Sequence, residues 1–129
     1  MQRTYIATND RHSDFYVALR RELRSAGIEL VDSPADATSI FNIFTDITDQ
    51  RVVSVSARNV PTEYEVYYIV NYSLESGQIT LMEPRNQIQT LVYNWDETQV
   101  LGKQAEQQEL RNAIVGDLVR VVMMQLSSI

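Results

Sequence analysis

The chain contains no cysteine, only one histidine and only one lysine among its 129 residues. Without cysteine it has no disulfide, no thiolate nucleophile and no zinc-finger spacing, and His12 alone cannot supply a metal site. The absence of cysteine does not assign a compartment, because secreted domains of this size can fold without disulfides. The sequence therefore predicts neither a metal nor another cofactor.

Positive charge is also scarce, with 11 basic against 17 acidic residues and a formal net charge of −6. This balance argues against broad contact with a phosphate backbone, so we expect no nucleic-acid partner. No apolar run approaches the roughly 20 residues that a membrane-spanning helix needs, and Met1 begins a polar segment rather than a signal peptide. We expect the chain itself to be soluble and to form one domain over residues 1–129, long enough for a single core.

The first third of the chain predicts a strand, a helix and a second extended segment. Thr4–Ala7 is a short strand candidate, and Phe15, Leu19 and Leu23 then recur at helical spacing. Gly27 is expected to end this helix, because glycine readily takes the left-handed conformation that closes a helix. An extended segment follows at Ile28–Val31.

A long strand is predicted where apolar and polar residues alternate with period two. One face carries Tyr64, Val66, Tyr68, Val70, Tyr72 and Leu74, whereas Glu63, Glu65, Asn71 and Ser73 face the other side. Before it, we predict a strand at Ser39–Ile47, a turn at Thr48–Gln50 and a strand at Arg51–Ala57. After it, we predict a hairpin at Ser76–Gly77 into an edge strand that Pro84 interrupts.

A final helix is predicted to start at Asp96, which forms a capping-box pattern with Gln99. The overall prediction is an α+β, two-layer fold with two helices on one face of a mixed sheet of about four strands. The helical spacing predicts that five residues face the Tyr64 to Leu74 strand: Leu19, Leu23, Leu110, Ile114 and Leu118.

Catalytic residues are not indicated by any motif. Glu63 and Glu65 could serve as acid and base on one strand face, but alternating glutamates are also ordinary on the wet face of a sheet. The serines lack nearby nucleophile-elbow glycines, and His12 has no orienting acid close in sequence. We therefore predict that the chain is not an enzyme.

Tyr67 and Ile69 are the candidates for a contact surface. They fall on the strand face opposite the predicted core, where a tyrosine beside an aliphatic residue suits a protein interface. The alternative is that they are simply exposed side chains.

The order of three segments resembles the LptE family of outer-membrane lipoproteins. These segments are FYVALRRELRSAGIELV at 15–31, RVVSVSARNVPTEYEVYYIVNYSL at 51–74 and QVLGKQAEQQELRNAIVGDLV at 99–119. The resemblance implies a non-catalytic protein that plugs the LptD barrel, binds lipopolysaccharide and helps it reach the outer leaflet. It also implies a signal peptide and a lipidated cysteine upstream of Met1, which would anchor the protein to the periplasmic side of the outer membrane.

Two basic residues gain a candidate role from this resemblance. Arg58 lies in the loop between two predicted strands, and Lys103 lies near the start of the final helix, where LptE-like chains often carry basic groups. Together they could clamp a lipopolysaccharide phosphate, or they could be ordinary surface charges. Two further functions stay open: an envelope adaptor that binds a protein partner without a lipid ligand, and an enzyme subunit whose active site lies on its partner.

Overall fold

The computed structural model describes residues 1–94 and 103–129, and within them one mixed sheet carries both helices. The strand order is β2-β1-β3-β4-β5; β1 is parallel to β2 and β3, and β3, β4 and β5 are antiparallel. The elements are β1 (Arg3–Ala7), α1 (Asp14–Ser25), β2 (Glu29–Leu30), β3 (Ser39–Val55), β4 (Pro61–Ser76), β5 (Ile79–Asn94) and α2 (Lys103–Ser127).

The predicted α+β fold is confirmed, with five strands instead of about four in the described part of the chain. The two-residue strand β2 pairs only with β1, through Arg3 opposite Glu29 and Thr4 opposite Leu30. It forms within the extended segment that the sequence predicts at Ile28–Val31.

Helix α1 is confirmed, and it ends where the sequence predicts. Ser13 caps its start, because the Ser13 hydroxyl accepts a hydrogen bond of 3.0 Å from the Tyr16 amide. Beyond its last residue, the amides of Gly27 and Ile28 donate to the carbonyls of Arg24 and Leu23, both at 3.0 Å. This is the Schellman arrangement, and it needs the positive φ of +85° that Gly27 adopts.

The turn predicted at Thr48–Gln50 is wrong, because β3 runs unbroken through it to Val55. Its three residues pair with Tyr68, Tyr67 and Val66 of β4. Thr, Asp and Gln favour turns only as a local preference, and here pairing with β4 keeps the segment extended.

Strand β5 is the edge strand that the sequence predicts, and its register is irregular near Pro84. Met82 pairs with Leu74, and Arg85 pairs with Tyr72, so the residues between them stand outside the regular ladder. Proline lacks the amide hydrogen of a ladder residue, and the irregularity lets the strand continue past it to Asn94.

The core lies between the two helices and the inner face of the sheet. The predicted alternation of β4 is confirmed, because Val66, Tyr68, Val70, Tyr72 and Leu74 are all buried. Of the five helix residues predicted to face this strand, Leu19, Leu23, Ile114 and Leu118 join the same buried cluster, whereas Leu110 is half-buried. The helix start predicted at Asp96 lies outside the described residues.

Tyr68 connects α1 to β3 through the core. Its hydroxyl oxygen accepts a hydrogen bond of 3.2 Å from the buried Phe15 amide and donates to the Asp46 carboxylate. Burial, reinforced by the hydrogen bond to Asp46, raises the pKa of the Tyr68 hydroxyl well above its ordinary value.

Candidate functional site

The sheet face opposite the helices, which we call the open face, carries a row of three isoleucines. Ile69 at the centre of β4 pairs with Ile47 of β3 on one side and Ile88 of β5 on the other. Directly opposed residues in antiparallel strands point to the same face, so the three side chains form a continuous apolar row. Ile47 is 55% exposed and Ile88 is 51% exposed.

Tyr67 lies two residues from this row on the same face. It pairs with Asp49 and Thr90, and the guanidinium of Arg51 stands 5.6 Å from the centroid of its ring. Arg51 also forms an ion pair with Glu65, directly across from it on β4. This ion pair and the cation–π contact hold Arg51 over the tyrosine.

The open face therefore places Tyr67 and Ile69, the two interface candidates predicted from the sequence, on one surface. Val92 of β5 adds a further exposed apolar side chain to the open face. Phe44, which is 59% exposed, lies at the β-bulge of β3 that precedes Thr45. Tyrosine and arginine are enriched at the centre of protein interfaces, and that centre is more apolar than the rest of the protein surface. The composition of this surface is typical of a protein interface, and its geometry suggests no reaction.

Ile47, Ile88 and Arg51 are members of this surface that sequence reasoning missed. Ile88, Thr90 and Val92 alternate along the chain, but alternation alone does not say which face of the sheet a strand presents to the helices. Only the register of β5 against β4 places Ile88 beside Ile69. Ile47 was missed because the wrongly predicted turn ended its strand.

Of the two glutamates considered as an acid and base pair, Glu65 has a charged partner, whereas Glu63 takes part in the backbone ladder of β4. Glu65 binds Arg51, and Glu63 pairs through the backbone with Asn94 and Ser54. In the described part of the chain, no three His, Cys, Asp or Glu side chains are grouped so that they could hold a metal ion.

Arg58 lies at the exposed tip of the turn between β3 and β4. The Ser56 amide donates to the Val60 carbonyl at 2.8 Å, and the Asn59 amide donates to the Ser56 carbonyl at 2.9 Å. The Ser56 hydroxyl accepts from the Arg58 amide at 3.2 Å, and Asn59 takes a positive φ of 59°. The turn is thus held by its own backbone, and its arginine side chain is left exposed.

Lys103, the other predicted phosphate-binding residue, is the first residue of α2 that the structure describes. Its side chain lies outside the described part of the chain, so the predicted meeting with Arg58 stays a prediction. Among the described residues, neither helix is long and apolar enough to cross a membrane.

Solved structures with this fold come from several bacterial lipoproteins. Uncharacterized lipoprotein B from Nitrosomonas europaea superposes with a TM-score of 0.86 at 22% identity, covering 98% of this chain and 83% of its own. Rare lipoprotein B from Shewanella oneidensis gives 0.81 at 19% identity (98% and 94%), and a minor lipoprotein from Acinetobacter baumannii gives 0.78 at 18% (98% and 91%). At these identities the similarity establishes the fold alone.

No curated protein matches the chain significantly in sequence. The sequence model of the family described as LptE, lipopolysaccharide-assembly, matches residues 1–126. The match spans nearly the whole chain, from β1 to the end of α2, and agrees with the resemblance seen in its three segments. The chain therefore belongs to the LptE lipopolysaccharide-assembly family, which is a family of non-catalytic lipoproteins.

Proposed function

We propose that residues 1–129 act as one domain of an outer-membrane lipoprotein that plugs an LptD-like barrel, assembles with it and binds lipopolysaccharide. Family membership supports a role in lipopolysaccharide assembly. The observation that carries the barrel partnership is the apolar row of Ile47, Ile69 and Ile88, which lies on a sheet face that no described helix covers.

The open face has the features of a surface that is buried in a complex. Half-exposed isoleucines in a continuous row cost free energy in water, at roughly 25 cal/mol for each Å² of apolar surface that stays exposed. A partner that covers the row recovers this free energy, and Tyr67 under Arg51 adds a contact with both apolar and polar character. The barrel interior would then meet the sheet and leave the helices on the other side.

The interface is tested by the double substitution Tyr67→Asp and Ile69→Asp. Two buried and unpaired carboxylates at the centre of an interface are costly, so we expect co-purification with the LptD-like barrel to fall at least tenfold. Circular dichroism of the isolated variant should match that of the parent chain, because the helix-covered core lies on the opposite face.

The matched control is Ile79→Asp, which changes a 66% exposed isoleucine of the same sheet at the hairpin end of β5, far from the row. This variant should co-purify like the parent chain. If the Tyr67 and Ile69 variant also co-purified like the parent, the open face would not be the barrel interface.

We further propose that Arg58 and Lys103 bind a phosphate of lipopolysaccharide. The hydrogen-bonded turn at Ser56 to Val60 presents the Arg58 side chain to solvent. A guanidinium binds phosphate through paired hydrogen bonds, and an ammonium such as that of Lys103 adds a point charge. In a chain of net charge −6, such a site must be local.

Changing both residues to aspartate is expected to weaken lipopolysaccharide binding at least tenfold, since charge-assisted contacts contribute roughly 1.5–3 kcal/mol each. The salt dependence of binding should also flatten. A direct binding titration measures the affinity and its salt dependence.

The control is Arg111→Asp with Arg120→Asp, which changes the net charge by the same amount at other positions on α2. An unchanged affinity in the first variant would remove both residues from the site, and a parent chain that binds the barrel but no lipopolysaccharide would favour the adaptor function.

A further inference from the structure

The outward face of α1 carries a concentration of arginines. Val17, Arg20, Arg21 and Arg24 are spaced by three, four and seven residues, which places them on one side of the helix. Arg11, from the turn before the helix, joins them around Tyr16 in one open depression of about 670 Å³. We call this surface, formed by Arg11, Tyr16, Val17, Arg20, Arg21 and Arg24, the arginine shelf; it holds four of the eleven basic residues of the chain.

The arginines of the shelf are not neutralised by ion pairs. In the part of the chain that the structure describes, the ion pairs are Arg51 with Glu65 and Arg120 with Asp117. Arg20 instead donates a hydrogen bond of 2.7 Å to the Tyr16 hydroxyl and stands 5.5 Å from the centroid of the tyrosine ring, so a neutral partner positions its guanidinium.

Acidic residues line two neighbouring depressions but not the depression of the shelf itself. Asp14 and Glu22 line the groove between α1 and α2, which Val17 and Arg21 also line, and Asp32 lines a small depression beside Arg11 and Arg20. The shelf itself therefore stays positive in a chain whose net charge is −6. A protein this acidic is repelled as a whole by anionic surfaces, so attraction to such a surface has to come from a local patch.

The chemistry of the shelf fits the headgroups of a membrane. Guanidinium groups match phosphate geometry, and the 53% exposed Val17 supplies an aliphatic side chain among them. The stripe is about 10 Å long at 1.5 Å per residue, which is small for a stable protein interface of roughly 800 Å² per partner. We propose that the arginine shelf docks the domain onto a membrane surface that contains anionic phospholipid.

The test is co-sedimentation of the chain with vesicles of phosphatidylcholine, with and without phosphatidylglycerol. We expect binding only to the anionic vesicles, and a loss of binding as salt is added. The variant Arg20→Gln, Arg21→Gln, Arg24→Gln should bind at least tenfold more weakly, since each basic residue near an anionic surface contributes severalfold in affinity. The matched control Arg3→Gln, Arg85→Gln, Arg111→Gln removes the same charge elsewhere and should bind like the parent chain.

Several outcomes would overturn the proposal. One is that the parent chain does not bind the anionic vesicles. Another is that the shelf variant and the control lose binding equally. Displacement from vesicles by an acidic peptide or by inorganic phosphate, at matched ionic strength, would assign the shelf to a soluble anion or an acidic protein. The shelf variant should keep its affinity for purified lipopolysaccharide, and a parallel loss there would assign the shelf to the lipopolysaccharide site. These outcomes are independent of the barrel partnership, because the assay contains no barrel.

Discussion

Replacing Leu23 or Ile114 with alanine is expected to lower the free energy of unfolding by about 2–5 kcal/mol. Leu23 of α1 is completely buried and Ile114 of α2 is 3% exposed, and both belong to the cluster that packs on the inner face of β4. Each truncation removes buried methyl groups and leaves a cavity that its neighbours fill only in part. Urea unfolding followed by circular dichroism measures the change.

The control is Val17→Ala on the outward side of α1, where the side chain is 53% exposed. Its free energy of unfolding should stay within about 0.5 kcal/mol of the parent value, as is usual for surface positions. A loss that small at Leu23 or Ile114 would contradict the packing of the two helices on the sheet.

Tyr68→Phe is expected to cost about 2–4 kcal/mol although it removes only one oxygen atom. The buried Phe15 amide would lose its acceptor, which costs roughly 1–3 kcal/mol, and the half-buried Asp46 carboxylate would lose its donor, which adds to that cost. Tyr67→Phe on the open face is the control, and it should change the free energy of unfolding by less than about 0.5 kcal/mol.

The Tyr68→Phe substitution should also alter how the free energy of unfolding depends on pH. Because the folded pKa of Tyr68 is raised above its unfolded value near 10, the protonated hydroxyl stabilises the fold fully below about pH 10. This contribution is lost as the pH rises further, toward the folded pKa. The parent chain should therefore lose stability more steeply above pH 10 than the Tyr68→Phe variant, whose remaining slope includes Tyr72, another tyrosine whose pKa burial raises. Equal slopes in urea unfolding at high pH would contradict this role of Tyr68.

Local patterns were enough to predict the parts of the fold that depend on one element. The end of α1 at Gly27 and the alternation from Tyr64 to Leu74 each follow from the conformational freedom of glycine or from period-two burial. The path of β3 through Thr48 to Gln50 depends on pairing with β4 and could not be predicted from its own residues. Long-range pairing prevailed there over local turn preference.

The candidate surfaces also combine features that one element predicts with features that depend on pairing between elements. Tyr67 and Ile69 were predictable because a single strand pattern places them opposite the core. The row that joins Ile69 to Ile47 and Ile88 is a property of register across three strands. The arginine shelf is predictable in part. Helical spacing aligns Arg20, Arg21 and Arg24, but only the folded chain brings Arg11 beside them.

The irregular register of the edge strand β5 opposes aggregation through that edge. A sixteen-residue strand at the edge of a sheet offers unpaired backbone groups to another copy of the chain, the route by which sheets grow into fibrils. Pro84 removes one donor from this edge, its irregular register disturbs the regular spacing of the others, and Glu83 and Arg85 flank it with charge. Strand addition from one copy to the next is thereby opposed near Pro84, at the edge that borders the apolar open face.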